Sequence, residues 1–457
     1  MRISAPIRWL FLFFIGPYIF SGNANAQSEP TTIQVTLQSC IATGLEKHPN
    51  IAINKNKVAQ AHQAKKEALS AYLPQVNAEA GLDNNIKLPV QIIPEGTFGP
   101  GTPEQEVAFG TKYSSSITGQ INQTIYNQSY IQGIKAAKPN TELAELNRQK
   151  SEEEIIYDIA TSYFQILVAK KQLELLESNK DRLERILNVT QLQSDVGVAK
   201  KIDVKQVQVN LNNVLSQITL IERNVRLAEN TLKFNMGIPQ EYQLEIQDES
   251  RWLDTKPAPK IHTEFHLESN YDYQMLGKQI ELLDIQTKVI RDQAIPSLSA
   301  FAVYGFTGFG NDVSTSFDPL RDFSMIGLKL NWSIFTGLRR DAQYKSAKID
   351  VENAKINRNL MEQALSLQFE NADAQIERAQ KTIHTNESNM ELAAEVYDNT
   401  TLQYREGVAS LSDLLNAELA YRESQTNYIT SLLDYYIADL DVEKTNGTLK
   451  TYFEKLN

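Results

Sequence analysis

The chain has 457 residues, of which 42% are hydrophobic and 22% are charged, a balance typical of an ordered protein rather than a disordered one. Its formal net charge is −11, and loss of Arg2 and Arg8 with a leader peptide would make it −13, which argues against a nucleic-acid-binding protein because such proteins carry a basic face. The only cysteine, Cys40, excludes an internal disulfide, so the fold must hold by packing.

Residues 1–26 have the three parts of a secretory signal peptide. Arg2 and Arg8 supply positive charge, WLFLFFIGPYIF is the apolar run, and Ala24-Asn25-Ala26 is a small-x-small cleavage site. The apolar run is shorter than the roughly 20 residues that a spanning helix needs. No later run is long enough either, so we expect no membrane-spanning helix in the mature chain. Cys40 lies well beyond the predicted cleavage site, and we expect it to be a buried helical residue rather than a lipid attachment site.

The chain repeats its own pattern. SDVGVAKKIDVK, residues 194–205, is echoed by YREGVASLSDLL, residues 404–415, so that Gly197 of the first turn corresponds to Gly407 of the second. NMGIP and KTNGTL carry a second pair, Gly237 and Gly447, at the same spacing. We therefore divide the chain into two structural repeats, 32–240 and 261–450, each in the order helix, strand, loop, strand, long helix, turn, helix.

Four strands are predicted, at 74–85 and 113–128 in the first repeat and at 296–308 and 323–337 in the second. Along 326–334 the even positions are apolar and the odd positions are mostly polar. Strands of about ten residues with one lipid-compatible face suit an outer-membrane barrel, and the alternative is an ordinary sheet packed on a core. The Pro/Gly-rich segments 87–106 and 308–319 are predicted to be exposed connections.

Most of the remaining chain has helical periodicity. The runs 129–195 and 338–405 would each be about 100 Å long at 1.5 Å per residue, with a kink predicted at Lys138-Pro139-Asn140. The runs 36–73, 199–235, 262–295 and 409–445 are about half as long, so two of them placed end to end match one long helix. This length match predicts a rod rather than a globule.

The helix after the first turn carries an apolar residue every third and fourth position, which predicts a coiled-coil seam. The seam residues are Val204, Val207, Leu211, Val214, Ile218, Ile221, Val225, Ala228 and Leu232. At the corresponding positions of the second repeat large and small residues alternate, from Leu414 to Val442, so the second seam is expected to pack differently.

Together these features resemble the TolC-type outer membrane efflux protein family over essentially the whole mature chain. The resemblance rests on TLQSCIATGLEKHPNI after the leader, a proline before the first strand of each half, the WSIFTG segment at 332–337, the two Gly-Val-Ala turns, and their order. It implies a mixed α+β membrane protein, mostly a long α-helical coiled-coil barrel. Each protomer would add four strands to a 12-stranded β-barrel closed by a homotrimer.

The resemblance also implies a location and partners. It implies the outer membrane of a Gram-negative cell, with outer-membrane lipid around the β-barrel and a long periplasmic tube below it. It implies a passive, gated exit duct for efflux or type I secretion, joined to a periplasmic adaptor (membrane fusion) protein and an inner-membrane pump of the RND or ABC type. No nucleic acid and no cofactor are expected.

The functional residues implied by the resemblance lie at the two turns. The predicted tips, at which the adaptor would dock, are Gly197, Val198, Ala199, Gly407, Val408 and Ala409.

A gate is implied beside the tips. Asp413 matches an acidic residue that lines the closed entrance, and Asn416 stands where the family often has a second acid. Tyr404 and Asp203 match a hydrogen-bonding pair that holds neighbouring hairpins shut. A companion Arg–Thr link is not matched. For Asp203 and Asp413, N-capping of a helix is the alternative role.

Residues 237–262 resemble the family's equatorial belt, and the tail 446–457 is expected to join it. No catalytic, cofactor or metal site is predicted: GFTGFG lacks the spacing of a dinucleotide loop, and His262 with His266, although four residues apart as metal ligands on a helix are, is better explained as a solvated linker. A periplasmic coiled-coil structural or adaptor protein is the alternative function, and an exported enzyme has no motif in its favour.

Overall fold

The computed structural model describes residues 32–97, 99–101, 103–253 and 264–455. The predicted signal peptide, residues 254–263 of the linker and repeat boundary, and the last two residues of the tail lie outside the described residues. In chain order the strands are β1 (Thr32–Val35), β2 (Gln75–Asn84), β3 (Val90–Ile93), β4 (Gln105–Ala108), β5 (Tyr113–Tyr126), β6 (Gln243–Ile246), β7 (Ser297–Gly310) and β8 (Arg321–Asn331). The helices are α1 (Leu37–Lys47), α2 (Pro49–Ser70), α3 (Gln128–Lys135), α4 (Ala137–Asp195), α5 (Lys201–Asn235), α6 (Glu249–Leu253), α7 (Tyr271–Asp292), α8 (Arg339–Arg405), α9 (Leu411–Thr445) and α10 (Leu449–Lys455).

The largest sheet contains two strands from each repeat. Its order is β2-β5-β7-β8, and all three pairings are antiparallel. Alternation places one set of side chains on each face: Ala302 of β7 lies between Ile121 of β5 and Ile326 of β8. β2 and β8 are therefore the two edges of the sheet, and neither edge is paired within the described chain.

Two antiparallel helical hairpins extend from the sheet, one from each repeat. The first hairpin is α4–α5 and the second is α8–α9, and α5 and α9 are each 35 residues long. The α5 seam faces inward as predicted: Val207, Leu211, Val214 and Leu232 are buried, and Val204 is half-buried. None of the described helices is both long enough and apolar enough to cross a membrane.

The main core lies midway along the hairpins. The Phe164 ring of α4 stacks on the Tyr436 ring of α9 at 4.4 Å, and Trp252 of α6 lies edge-on to both rings. Cys40 is fully buried on α1, as predicted, and its burial raises the pKa of the thiol to about 12. The described part of the linker, which contains β6 and α6, is thereby fixed to both hairpins.

One strand prediction is wrong at its end. The strand predicted at 323–337 stops at Asn331, because its partner β7 begins at Ser297, opposite Asn331, and offers no backbone groups beyond it. The following residues turn toward α8 instead, with Gly337 and Leu338 both at positive φ.

Two helix predictions also need correction. The single helix predicted over 36–73 is broken at His48, because Pro49 has no N–H to continue α1 and instead occupies the first position of α2. The helix predicted from 262 begins at Tyr271, after a 3-10 turn at Leu267–Ser269, with the Asn270 side chain accepting hydrogen bonds at its start.

Three features were not predicted as ordered elements. Part of the connection 87–106 forms a ribbon in which β3 pairs with β4. β1 pairs in parallel with β6, which joins the segment before α1 to the linker, with Thr32 opposite Gln243. The tail contains α10, whose Leu449 is fully buried.

Candidate hairpin-tip site

The tip of the first hairpin is a compact turn that depends on glycine. α4 ends at Asp195, and Gly197 follows with φ of +78°. The Gly197 N–H donates to the Ser194 carbonyl at 3.1 Å, and the Val198 N–H donates to the Gln193 carbonyl at 2.8 Å. These two bonds define a Schellman motif, which satisfies the last helical carbonyls and reverses the chain.

The tip of the second hairpin has the same geometry. Gly407 has φ of +75° after the last residue of α8, Arg405. The Gly407 N–H donates to the Tyr404 carbonyl at 3.1 Å, and the Val408 N–H donates to the Gln403 carbonyl at 2.9 Å. The two similar turn sequences therefore form the same backbone structure. Glycine is needed at both turns because other residues avoid positive φ.

The apolar side chains at the two tips point into solvent. Val198 is 76% exposed and Val408 is 79% exposed, whereas Ala199 and Ala409 are half-buried. An exposed valine therefore follows the turn glycine at the same place in both hairpins.

The two aspartates of the predicted gate cap the helices that follow the turns. Asp203 Oδ2 accepts the Lys200 N–H at 3.1 Å at the start of α5. Asp413 Oδ2 accepts the Ser410 N–H at 3.0 Å and the Ser410 hydroxyl at 2.7 Å, and the Ser410 Oγ accepts the Asp413 N–H in return. These hydrogen bonds hold the pKa of Asp413 below its usual value. Asp413 and Asn416 are both exposed, so the first turn of α9 presents a carboxylate and an amide to solvent.

Tyr404 connects the two hairpins. Its hydroxyl donates to Gln193 Oε1 at 3.3 Å, which joins the end of α8 to the end of α4. Tyr404 also packs against a small apolar cluster that includes Leu183 of α4 and Leu411 of α9. Within the described chain Tyr404 is thus bonded to Gln193 and not to Asp203, and the Tyr404–Asp203 pair stays a prediction.

A second seam on α9, which the sequence reasoning missed, packs against α4. Its residues are Leu411, Leu415, Glu418, Arg422, Gln425, Ile429 and Leu432, at spacings of 4, 3, 4, 3, 4 and 3. All of them except the half-buried Arg422 are buried. The heptad spacing is the signal that could have revealed this seam. It is obscured because Glu418, Arg422 and Gln425 interrupt the apolar pattern.

Among the described residues, neither the tips nor His266 shows the geometry of a metal-binding site. The described residues contain no group of three or more His, Cys, Asp or Glu placed to hold a metal ion. The backbone N–H of His266 donates to Asn446 Oδ1 at 3.2 Å, and His262 lies outside the described residues.

Comparison with known proteins gives a consistent set of similarities. The model of the family described as "Outer membrane efflux protein" matches residues 41–237 and 266–448. The outer membrane protein TolC of Vibrio cholerae is 22% identical over 394 residues, which are 85% of each chain. The crystal structure of CusC superposes with a TM-score of 0.73 at 16% identity, covering 94% of this chain and 96% of that one. The outer membrane channel MtrE of Neisseria gonorrhoeae, in its open state, gives a TM-score of 0.71 at 16% identity over 90% and 89% of the two chains. The predicted fold class, mostly helical with a smaller sheet and an internal duplication, is confirmed.

Proposed function

Because the chain belongs to the outer membrane efflux protein family, we propose that three copies associate into a passive, gated exit duct that completes a tripartite pump. The protein is an outer-membrane protein, and its part in export is that of a conduit. An inner-membrane pump of the RND or ABC type would supply the energy, and a periplasmic adaptor protein would join the pump to the duct.

The four-stranded sheet is the main support for the proposed trimer. Its edges, β2 and β8, are open in the described chain, and open edges do not occur in lipid because their backbone groups have no partner there. One face is apolar and exposed, with Val76, Ile326, Leu328 and Leu330 each more than 60% accessible. Four strands are too few to close a barrel. Three copies, with β8 of one paired to β2 of the next, would give twelve strands without an edge and with the apolar face toward lipid.

The helical hairpins support the same assembly. Leu220 and Leu227 of α5 and Ile356 and Leu360 of α8 are each more than half exposed. A lone hairpin would leave these aliphatic side chains in water, whereas packing of the two hairpins against those of neighbouring copies would bury them and extend the cylinder into the periplasm. The described part of the linker, with α10, would form the equatorial belt.

We assign the gate and the docking surface to the hairpin tips. Asp413 and Asn416 would line the entrance, and Tyr404 would hold the second hairpin against the first through Gln193. The exposed valines at positions 198 and 408 would contact the adaptor.

Assembly and conduction test the proposal directly. Chemical crosslinking and native mass measurement of the detergent-purified protein should give three copies, and planar bilayers should show single channels. A species of one copy that stays soluble without detergent would refute the duct and favour the alternative, a periplasmic coiled-coil protein.

A matched pair of lysine substitutions tests the orientation of the sheet. Leu328→Lys would place a charge on the proposed lipid face, at a cost of about 2–4 kcal/mol at the bilayer midplane. Asn331→Lys places the same residue on the opposite face of β8, where it should be tolerated. The amount of folded trimer recovered from outer membranes measures both. Equal recovery would show that the apolar face does not meet lipid.

A further inference from the structure

A layer of polar residues interrupts the apolar interface between the two hairpins of one chain. The layer consists of Asn179 and Arg182 of α4 and of Glu418, Arg422 and Gln425 of α9. On α9, Leu411 and Leu415 lie below the layer and Ile429 and Leu432 lie above it, and all four are buried. At 1.5 Å per residue the layer lies about 10–25 Å above the helix ends at the tip. Any movement of α9 away from α4 at the tip has to separate this layer.

Several polar side-chain atoms in this layer have no hydrogen-bond partner among the described residues. Glu418 is 3% exposed and its Oε1 accepts no hydrogen bond there, and the Oε1 of buried Gln425 accepts none either. Across the interface, Asn179 is fully buried and both of its amide atoms lack partners, as do Nε and Nη2 of Arg182. Unpaired buried polar atoms are rare in native structures, and they destabilise the arrangement in which α9 packs against α4. Separation of the helices would hydrate all of them.

The charged groups around Glu418 do not neutralise it by a direct ion pair. Arg422, on the same helix, directs Nη1 to Gln217 Oε1 of α5 at 3.4 Å. Arg182 of α4 donates to the Ser178 hydroxyl and lies against the rings of Tyr397 on α8 and Tyr421 on α9. Both arginines favour the ionised carboxylate, but burial outweighs them, so the pKa of Glu418 lies above its ordinary value.

We propose that this layer is a pH-responsive latch, in which α9 packs on α4 while Glu418 is protonated and separates from it when Glu418 ionises. A buried carboxylate with an unpaired oxygen is costly, whereas the neutral acid is tolerated. This inference rests on the proposed function, since separation of the hairpins would widen the entrance of the duct.

The direction of the pH effect follows from the two states. In the separated state Glu418 is hydrated and titrates near the ordinary glutamate value of 4.5, whereas in the packed state it holds its proton to higher pH. The packed state is therefore fully favoured at low pH. It loses stability as pH rises from about 4.5 to the raised value, by up to about tenfold in the ratio of the two states per pH unit.

The distance between the two tips measures the latch without relying on conduction. Spin labels at Val196→Cys and Glu406→Cys would occupy matching exposed positions just before the two turn glycines, and fully buried Cys40 should remain unlabelled. In the detergent-purified protein, the fraction of molecules with a long distance between the two spin labels should rise with pH. Glu418→Gln should hold the short separation at every pH, whereas Glu423→Gln, at an exposed site on the same helix, should keep the parent response.

A second variant covers the case in which Glu418→Gln does not fold. Asn179→Leu replaces an unpartnered buried amide with an apolar side chain of similar size, and it should raise the thermal midpoint and lower the fraction of long separations at least threefold. A pH response that survives in Glu418→Gln, or an unchanged midpoint and separation in Asn179→Leu, would overturn the latch. A pH-dependent separation in a protein that conducts no ions would instead refute the duct and leave the latch standing.

Discussion

Four glycines end the long hairpin helices and offer a test of how the fold uses backbone geometry. Gly197 and Gly407 form the tips, while Gly237 and Gly447 follow the other ends of α5 and α9, and all four have φ between +66° and +78°. The perturbation is alanine at each position in turn. Since the backbone conformation is the same, differences in stability must come from the space around the new methyl group.

The structure separates the four positions into two classes. At Gly197 and Gly407 a Cβ would meet nothing within 4 Å, so alanine should cost only the left-handed conformation, about 1–2 kcal/mol. At Gly447 the Cβ would lie 2.4 Å from the Ser269 carbonyl oxygen, a backbone atom that cannot rotate away. Overpacking of this kind adds about 1–3 kcal/mol, so Gly447→Ala should cost about 2–5 kcal/mol per chain.

Heat and denaturant unfolding of the purified protein measure these costs. Gly407→Ala should unfold slightly earlier than the parent, and Gly447→Ala much earlier or with little folded protein recovered. Gly237→Ala should behave like Gly447→Ala, because its Cβ would approach His48 Cα to 2.8 Å. If Gly447→Ala proves no less stable than Gly407→Ala, the close packing of the Ser269 carbonyl against Gly447 is not as described.

Three further substitutions test the capping, the charge and the link between hairpins. Ser410→Ala should cost about 1 kcal/mol by removing the α9 cap, seen as faster amide hydrogen exchange in the first turn of α9, and unchanged exchange would contradict that role. Burial raises the pKa of Glu153 to about 7, so the free energy of unfolding should fall as pH rises from about 4.5 to 7. Glu153→Gln should abolish this slope and Glu154→Gln, at an exposed site, should retain it. Tyr404→Phe removes the bond to Gln193 and should raise single-channel conductance, and an unchanged conductance would show that this bond does not restrict the tip.

Much of the local structure could be predicted from the sequence. The turns at Gly197 and Gly407 were predictable because a lone glycine between two helical patterns marks a left-handed residue, and the α5 seam was predictable because its apolar spacing is regular. The strand positions followed from alternation, with end points displaced by a few residues. These features depend on near neighbours along the chain.

The features that the sequence did not reveal depend on residues far apart in the chain. β8 ends at Asn331 because β7 begins opposite it, and β1 pairs with β6, a linker strand from beyond the end of the first hairpin. Glu418 looks like an ordinary surface residue in the sequence and is buried only because α4 passes beside α9. Periodicity shows which face of a helix is apolar, but the neighbour that covers each face, and whether a polar residue there finds a partner, is decided by tertiary packing.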